Sequence, residues 1–91
     1  MPRYFFHMRD NDGLLEDPDG SEVADLDAAV NEAKLGARSL MAEDIRLGRA
    51  LRPISIEISE TDGLVLQTVT FRNVLDELTA DLYEHQVGRR R

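Results

Sequence analysis

The chain has 91 residues and no cysteine, so it is long enough for one packed domain but has no disulfides or thiolate metal sites. Its formal net charge is −7, from 11 basic and 18 acidic side chains. An acidic body repels the phosphate backbone. We therefore expect no nucleic acid to bind the main body, and a basic protein partner fits better.

The first predicted elements are two strands joined by a tight turn. Residues 3–9 alternate in the way of a strand, with one set on each face: Tyr4, Phe6 and Met8 against Phe5, His7 and Arg9. Asp12 and Gly13 are typical of a hairpin turn, and residues 14–17 return as a short strand. That register places Arg9 opposite Glu16 as a cross-strand ion pair. The turn Pro18-Asp19-Gly20 follows.

A long helix is predicted over about residues 26–47. Its apolar stripe steps by four and three residues through Leu26, Val30, Ala33, Ala37 and Leu40. Asp25 is placed to cap the first turn, and Gly48 and Pro53 mark the end.

Two further strands and a second helix complete the chain. Ile54, Ile56 and Ile58 alternate with polar residues, Asp62 and Gly63 form a turn, and residues 64–71 return as the fourth strand. Asn73 is placed to cap the last helix, whose stripe is Leu75, Leu78 and Leu82.

The order β-β-α-β-β-α predicts an α+β fold, in which a mainly antiparallel four-stranded sheet packs on one long helix, with a C-terminal helix added. We expect a single domain over residues 1–87, with its core in 1–72 and the last helix at 73–87. Residues 88–91, which include three arginines, form a basic tail. Tyr4, Phe6, Met8 and Leu15 are expected to face the long helix.

The acidic hairpin is the stretch that looks most like a site for chemistry. The run Asp10-Asn11-Asp12-Gly13 is too short for a calcium loop of the EF-hand kind. Zinc requires several His or Cys ligands, and the chain has only His7 and His85. We therefore expect no metal and no cofactor, and interpret the carboxylates as turn residues.

Catalysis has little support in the sequence. No Ser or Thr stands in a nucleophile signature, and the six glycines are scattered rather than clustered as in a phosphate loop. His7 is interpreted as a polar sheet residue, and we expect no enzyme. The many acidic residues leave a small acidic-site hydrolase or a binder of cationic ligands open as alternatives.

Several of these residues also carry a resemblance. Tyr4-Phe5-Phe6-His7, the acidic hairpin and the helix start Asp25-Leu26-Asp27-Ala28-Ala29 resemble a bacterial family of unknown function, made of short proteins that open with MPRYFFH-like residues. The resemblance covers about residues 1–72 and implies no established activity, so it transfers no functional residue.

A weaker resemblance is to the N-terminal part of HicB-type antitoxins. It rests on a first strand, an acidic turn, an Asp-then-Ala helix start and a Gly…Pro exit: Asp10, Asp12, Gly13, Asp25, Ala28, Ala29, Gly48 and Pro53. This resemblance implies a protein that clamps a basic toxin. Such antitoxins usually carry a separate DNA-binding segment, for which this chain is too short.

Taken together, these patterns favour a non-catalytic interaction or regulatory module, acting as a homodimer or with a basic protein partner. No apolar run reaches signal-peptide length or the roughly 18 residues of a membrane span, so we expect a cytoplasmic protein with no membrane contact. One helix covers only one face of a sheet, which leaves other apolar side chains unpartnered. The candidate interaction surface is Phe5, His7, Leu14, Leu35, Leu75, Leu78 and Leu82.

Overall fold

The structure, a computed structural model, describes the backbone of residues 1–89 and the side chains of residues 1–82. Its elements in chain order are β1 (Arg3–Asp10), β2 (Gly13–Leu15), β3 (Ser21–Glu22), α1 (Leu26–Arg46), β4 (Ser55–Ser59), β5 (Val65–Thr70) and α2 (Phe71–Arg89). The predicted α+β fold is confirmed. The two-residue strand β3 was not predicted.

The sheet is antiparallel, with the strand order β2-β1-β4-β5. Strand β3 also pairs with β1, placing Arg3 opposite Glu22. Between these two pairings the carboxylate of Asp17 accepts a hydrogen bond from the backbone N–H of Phe6, at 3.2 Å. A side chain thus replaces the strand partner that β1 lacks at this position.

The first hairpin is shifted by one residue from the prediction. Asp10 pairs with Gly13, so the loop residues are Asn11 and Asp12 rather than Asp12 and Gly13. The Asp10 carboxylate starts this turn, because it accepts hydrogen bonds from the N–H groups of Asp12 and Gly13. The shift places Arg9 opposite Leu14, and the predicted ion pair of Arg9 with Glu16 is wrong.

The core lies between α1 and one face of the sheet. Its buried residues are Tyr4, Ala29, Ala33, Ala37, Met41, Ile54, Ile56, Ile58, Val69, Phe71 and Val74. Phe6 and Met8 pack against them, as predicted. Leu15 does not: it is 69% exposed, because β2 is a three-residue edge strand and α1 packs on β4 and β5 instead.

Helix α1 begins and ends close to the predicted positions. The Asp25 side chain accepts a hydrogen bond from the N–H of Ala28 at 2.8 Å, and Gly48 takes a positive φ of 71° after the last turn. The buried line is rotated from the predicted stripe. Leu26, Val30 and Leu40 are half-buried, whereas the fully buried residues are Ala29, Ala33, Ala37, Met41 and Asp44.

Helix α2 starts earlier than predicted, directly after β5. The side-chain oxygen of Thr70 accepts a hydrogen bond from the N–H of Asn73 at 2.9 Å, so Thr70 caps the helix and Asn73 does not. Phe71, predicted to end the fourth strand, is the first helical residue. The helical backbone continues to Arg89 and includes the first part of the predicted tail. Arg90 and Arg91 lie outside the described residues.

Candidate functional site

The sheet face turned away from α1 carries mostly polar side chains, and we call it the polar face. It consists of Phe5, His7 and Arg9 of β1, opposite Ser59, Glu57 and Ser55 of β4 in the register of the two strands. The alternation of β1 predicted Phe5 and His7 on this face. Leu14 shares it through its pairing with Arg9, at the edge of the sheet.

His7 is held by hydrogen bonds at both ring nitrogens. The backbone N–H of Asp17 donates to Nδ1 at 3.0 Å, and Nε2 lies 3.0 Å from the hydroxyl oxygen of Ser59. A backbone N–H only donates, so Nδ1 is the acceptor and the neutral ring carries its proton on Nε2. Nε2 therefore donates to Ser59. The loop that follows β2 and the end of β4 together fix one tautomer.

The direction of this hydrogen bond decides whether His7 can act as a base toward Ser59. A general base must accept the hydroxyl proton, which requires an unprotonated nitrogen facing the serine. Here the nitrogen that faces Ser59 carries the proton. The carboxylate of Asp17, whose backbone N–H bonds to His7, is itself occupied by the N–H groups of Phe6, Asp19 and Gly20.

A cleft of about 320 Å³ opens above this pair, and we call it the His7 cleft. It is lined by Phe5, His7, Ser59, residues 16–18, Glu60, Thr61 and Gly63. The rings of Phe5 and His7 stack with their centroids 6.2 Å apart and their planes at 14°. Ser59 is only 1% exposed although it lies on the face without a helix. The residues that line the cleft with it on either side, 16–18 and Glu60, Thr61 and Gly63, belong to loops rather than to a helix.

Beside the cleft, Arg9 and Glu57 form an ion pair across β1 and β4. The hydrogen bond from Arg9 and, less strongly, the charge attraction between the two groups raise the pKa of Arg9 above its ordinary value. This pair occupies the carboxylate of Glu57. Glu57 is therefore not available to the cleft.

The remaining predicted interaction residues lie elsewhere. Leu35 is 51% exposed on α1. Leu75 packs partly against the core, whereas Leu78 and Leu82 are 57% and 59% exposed on α2. Phe71 and Val74 join the same core as α1, so the start of α2 lies on the helix side and leaves the polar face uncovered. The seven predicted residues therefore divide into three separate areas of the surface.

Sequence reasoning missed a buried carboxylate at the end of α1. Asp44 is fully buried; Arg52 donates to Oδ2 at 3.1 Å, and Arg49 lies 3.0 Å from Oδ1 as an ion pair without hydrogen-bond alignment. The hydrogen bond from Arg52 lowers the pKa of Asp44, against the opposing effect of burial. The signal was present, since Asp44 continues the line of Ala33, Ala37 and Met41 along the helix.

Two absences concern only the described part of the chain. Among the side chains of residues 1–82, no group of three or more His, Asp or Glu is arranged to hold a metal ion. None of the helical segments within the described residues has the length and apolar character needed to cross a membrane.

Comparison with known proteins assigns a family. The family model DUF6894, a domain of unknown function, matches residues 3–72. This range takes in the whole sheet, α1 and the residues of the His7 cleft, and stops after the second residue of α2. Comparison with curated proteins and with solved structures finds no match, and the resemblance to HicB-type antitoxins stays a prediction. The chain belongs to DUF6894, a family of domains of unknown function.

Proposed function

We propose that this protein is a non-catalytic interaction module that acts as a homodimer through α2. The observation that carries the proposal is the exposure of Leu78 and Leu82, which are four residues apart on one side of that helix. Single exposed leucines are common on monomers. Here the two continue the stripe that begins with the partly buried Leu75, so an apolar strip leads out of the core along the helix.

The packing of α2 supports a partner for its later turns. The helix has 19 residues, about 28 Å at the usual helical rise. Among its described side chains, residues 71–82, those that contact the rest of the domain include Phe71, Val74 and Glu77, which forms an ion pair with Lys34 at 2.9 Å. Most helical stability in proteins comes from packing an apolar face. A partner that covers Leu78 and Leu82 would supply that packing.

The charges of α2 favour a second copy of the same chain as the partner. The helix carries four acidic residues ahead of residue 85, Asp76, Glu77, Asp81 and Glu84, and the chain ends in three arginines, Arg89 to Arg91. An antiparallel pair that crosses near Leu82 would bring Asp76 and Glu77 of each helix toward the arginine end of the other. Opposite helix dipoles also lie side by side in this arrangement. A two-fold axis is the commonest symmetry of oligomers.

The His7 geometry supports a non-catalytic role. The one histidine–serine pair among the described side chains has its proton on the wrong nitrogen for base catalysis. The neighbouring Asp17 carboxylate is used to hold the loop. The hydrogen bonds of the His7 ring and of the Asp17 carboxylate therefore hold the fold together.

Sedimentation equilibrium at micromolar protein tests the dimer. We expect a mass of twice the 10.3 kDa chain, which falls to 10.3 kDa in Leu82→Asp. Leu15→Asp is the matched control, because Leu15 is also an exposed leucine, at 69%. It lies on β2, at the opposite edge of the sheet from β5, the strand that leads into α2. The control should stay dimeric. A wild-type mass of 10.3 kDa at every concentration would overturn the proposal, as would equal loss of the dimer in both variants.

A further inference from the structure

We propose that the His7 cleft is a binding site for an arginine residue of a protein or peptide, with the guanidinium between Glu16 and Glu60 and a carbonyl oxygen on Ser59. The site is separate from the α2 contact, because it lies on the face of the sheet that α2 leaves uncovered. The proposal therefore does not depend on the dimer.

Two carboxylates that line the cleft have no partner among the side chains of residues 1–82. Glu16 comes from the loop after β2 and Glu60 from the turn after β4, and both line the cleft. Within residues 1–82 neither carboxylate has a hydrogen bond or an ion pair, whereas Asp17 and Glu57 nearby are both occupied. Two unpaired carboxylates that line one cleft attract a cation, and a planar guanidinium is able to bind a carboxylate through two hydrogen bonds.

The His7 cleft also has an aromatic lining. The Phe5 ring lines the cleft and is stacked on His7 with the planes at 14°. Guanidinium groups stack on aromatic faces and keep their edges free for carboxylates. An ammonium group forms neither the flat stack nor the two-point hydrogen bond. The cleft therefore favours arginine over lysine.

Ser59 supports the proposal independently of the charges in the cleft. This hydroxyl is 1% exposed, lines the cleft, and accepts a hydrogen bond from His7 Nε2. Because the tautomer makes Ser59 the acceptor, its own hydrogen is still to be donated, and no acceptor for it is found within residues 1–82. A buried donor without an acceptor is unfavourable. A carbonyl oxygen of the ligand would satisfy it.

These three features together specify the ligand. A free polyamine has cations but no carbonyl, and free arginine brings a carboxylate into a cleft that already contains acidic groups. An arginine residue within a peptide has the guanidinium and neutral carbonyl groups. Its volume also suits a cleft of about 320 Å³ that is open to solvent.

The test is an NMR titration of the ¹⁵N-labelled full chain with N-acetyl-arginine amide. We expect the amide signals of Asp17, Ser59 and Gly63 to shift, with weaker binding of N-acetyl-lysine amide, agmatine and free arginine. Shifts spread evenly over the acidic surface, or no binding at millimolar ligand, would overturn the proposal. Equal affinity for free arginine would instead point to a metabolite site and would overturn the peptide assignment.

Two variants separate a built site from a general attraction to the acidic protein. Glu60→Gln should weaken binding about tenfold, the effect of losing one charge-assisted hydrogen bond. Glu32→Gln makes the same charge change on the exposed surface of α1 and should leave the affinity unchanged. Equal weakening by both variants would show nonspecific attraction and sink the site.

Ser59→Ala tests the carbonyl contact. It should weaken binding of N-acetyl-arginine amide and leave agmatine, which has no carbonyl, unaffected. A dispersed spectrum of the unbound variant establishes that it is folded. If both ligands keep their wild-type affinities, Ser59 does not contact the ligand and the assignment of the carbonyl is wrong.

Discussion

Ile58 and Ser59 are neighbours in β4, both are buried, and they lie on opposite faces of the sheet. Ile58 is 0% exposed and packs in the core below α1. Ser59 is 1% exposed and lies on the polar face, among the loop residues that line the His7 cleft. The helix face excludes water with apolar side chains. The polar face has instead a chain of hydrogen bonds: the N–H of Asp17 donates to His7, His7 donates to Ser59, and the Asp17 carboxylate accepts from the N–H of Phe6.

Burial therefore has two different origins in this small domain. Stability on the helix face depends on the apolar area removed from water and on close packing. On the polar face it depends on hydrogen bonds, each of which contributes only about 0.5–1.5 kcal/mol net. Substitutions on the two faces should therefore differ in size although the residues are equally buried.

The largest effect is expected from Ile58→Ala. Removing this fully buried side chain should lower the free energy of unfolding by about 2–5 kcal/mol, through lost apolar burial and the cavity left behind. Urea denaturation measures the change. A loss of under about 1 kcal/mol would mean that the helix face is loosely packed and that the contrast with the polar face does not hold.

The next largest effect is expected at Asp44, the charged residue inside the helix-side core. Its pKa is lowered in the folded state, so its contribution to stability is present above the unfolded value of about 3.9 and is lost as the pH falls through the folded pKa. Asp44→Asn should therefore melt several degrees below wild type at neutral pH. That difference should shrink in acid below about pH 4.

The control for Asp44 is Asp12→Asn, a change to an exposed carboxylate in the turn between β1 and β2. It should melt close to wild type at every pH. A gap between wild type and Asp44→Asn that stays constant from neutral to acidic pH would contradict the ion pairs with Arg49 and Arg52 as the source of the effect.

Much of the fold could be predicted because local patterns determine it. The alternation in β1 assigned Tyr4, Phe6 and Met8 to the core, and Asp25 was identified as a cap from its residue type and position. These features depend on neighbours within a few residues, which the sequence displays directly.

The features that the sequence did not reveal depend on contacts between distant residues. The His7 pair joins positions 52 residues apart, and no local pattern indicates that Ser59 reaches it. The hairpin register was missed by one residue because the Asp10 side chain, rather than the Asp-Gly pair, starts the turn. The short strand β3 exists through its pairing with Arg3 and Tyr4, which its own two residues do not signal.

A smaller effect is expected from Gly20→Ala, which tests the packing of the loop between β2 and β3 against β1. Gly20 has a φ of +69°, and an added Cβ would lie 2.8 Å from the carbonyl oxygen of Tyr4 and 2.9 Å from the Phe5 ring. The variant should lose about 1–3 kcal/mol of stability.

Gly36→Ala is the matched control, since Gly36 lies within α1 and an added Cβ would have no neighbour within 4 Å. It should gain about 0.5–1 kcal/mol, because alanine favours the helix. Thermal melts of the two variants should therefore move in opposite directions. A neutral Gly20→Ala would show that the loop is not packed against β1.

The smallest effect is expected from Ser59→Ala, the counterpart of Ile58→Ala on the polar face. The change removes the acceptor of the hydrogen bond from His7 Nε2. Because the ring is partly exposed, this N–H is able to bond to water instead. We therefore expect the free energy of unfolding to fall by only about 0.5–1.5 kcal/mol. The tautomer should not change, because the N–H of Asp17 still donates to Nδ1.

Long-range ¹H–¹⁵N spectra of the His7 ring, recorded where the ring is neutral, identify the protonated nitrogen in both proteins. Finding the proton on Nδ1 in the wild type would restore Ser59 as a possible nucleophile and remove the main support for a non-catalytic role. Finding it on Nε2 in both, with a stability loss well below that of Ile58→Ala, would support both the contrast between the two faces and the free hydroxyl hydrogen on which the arginine site depends.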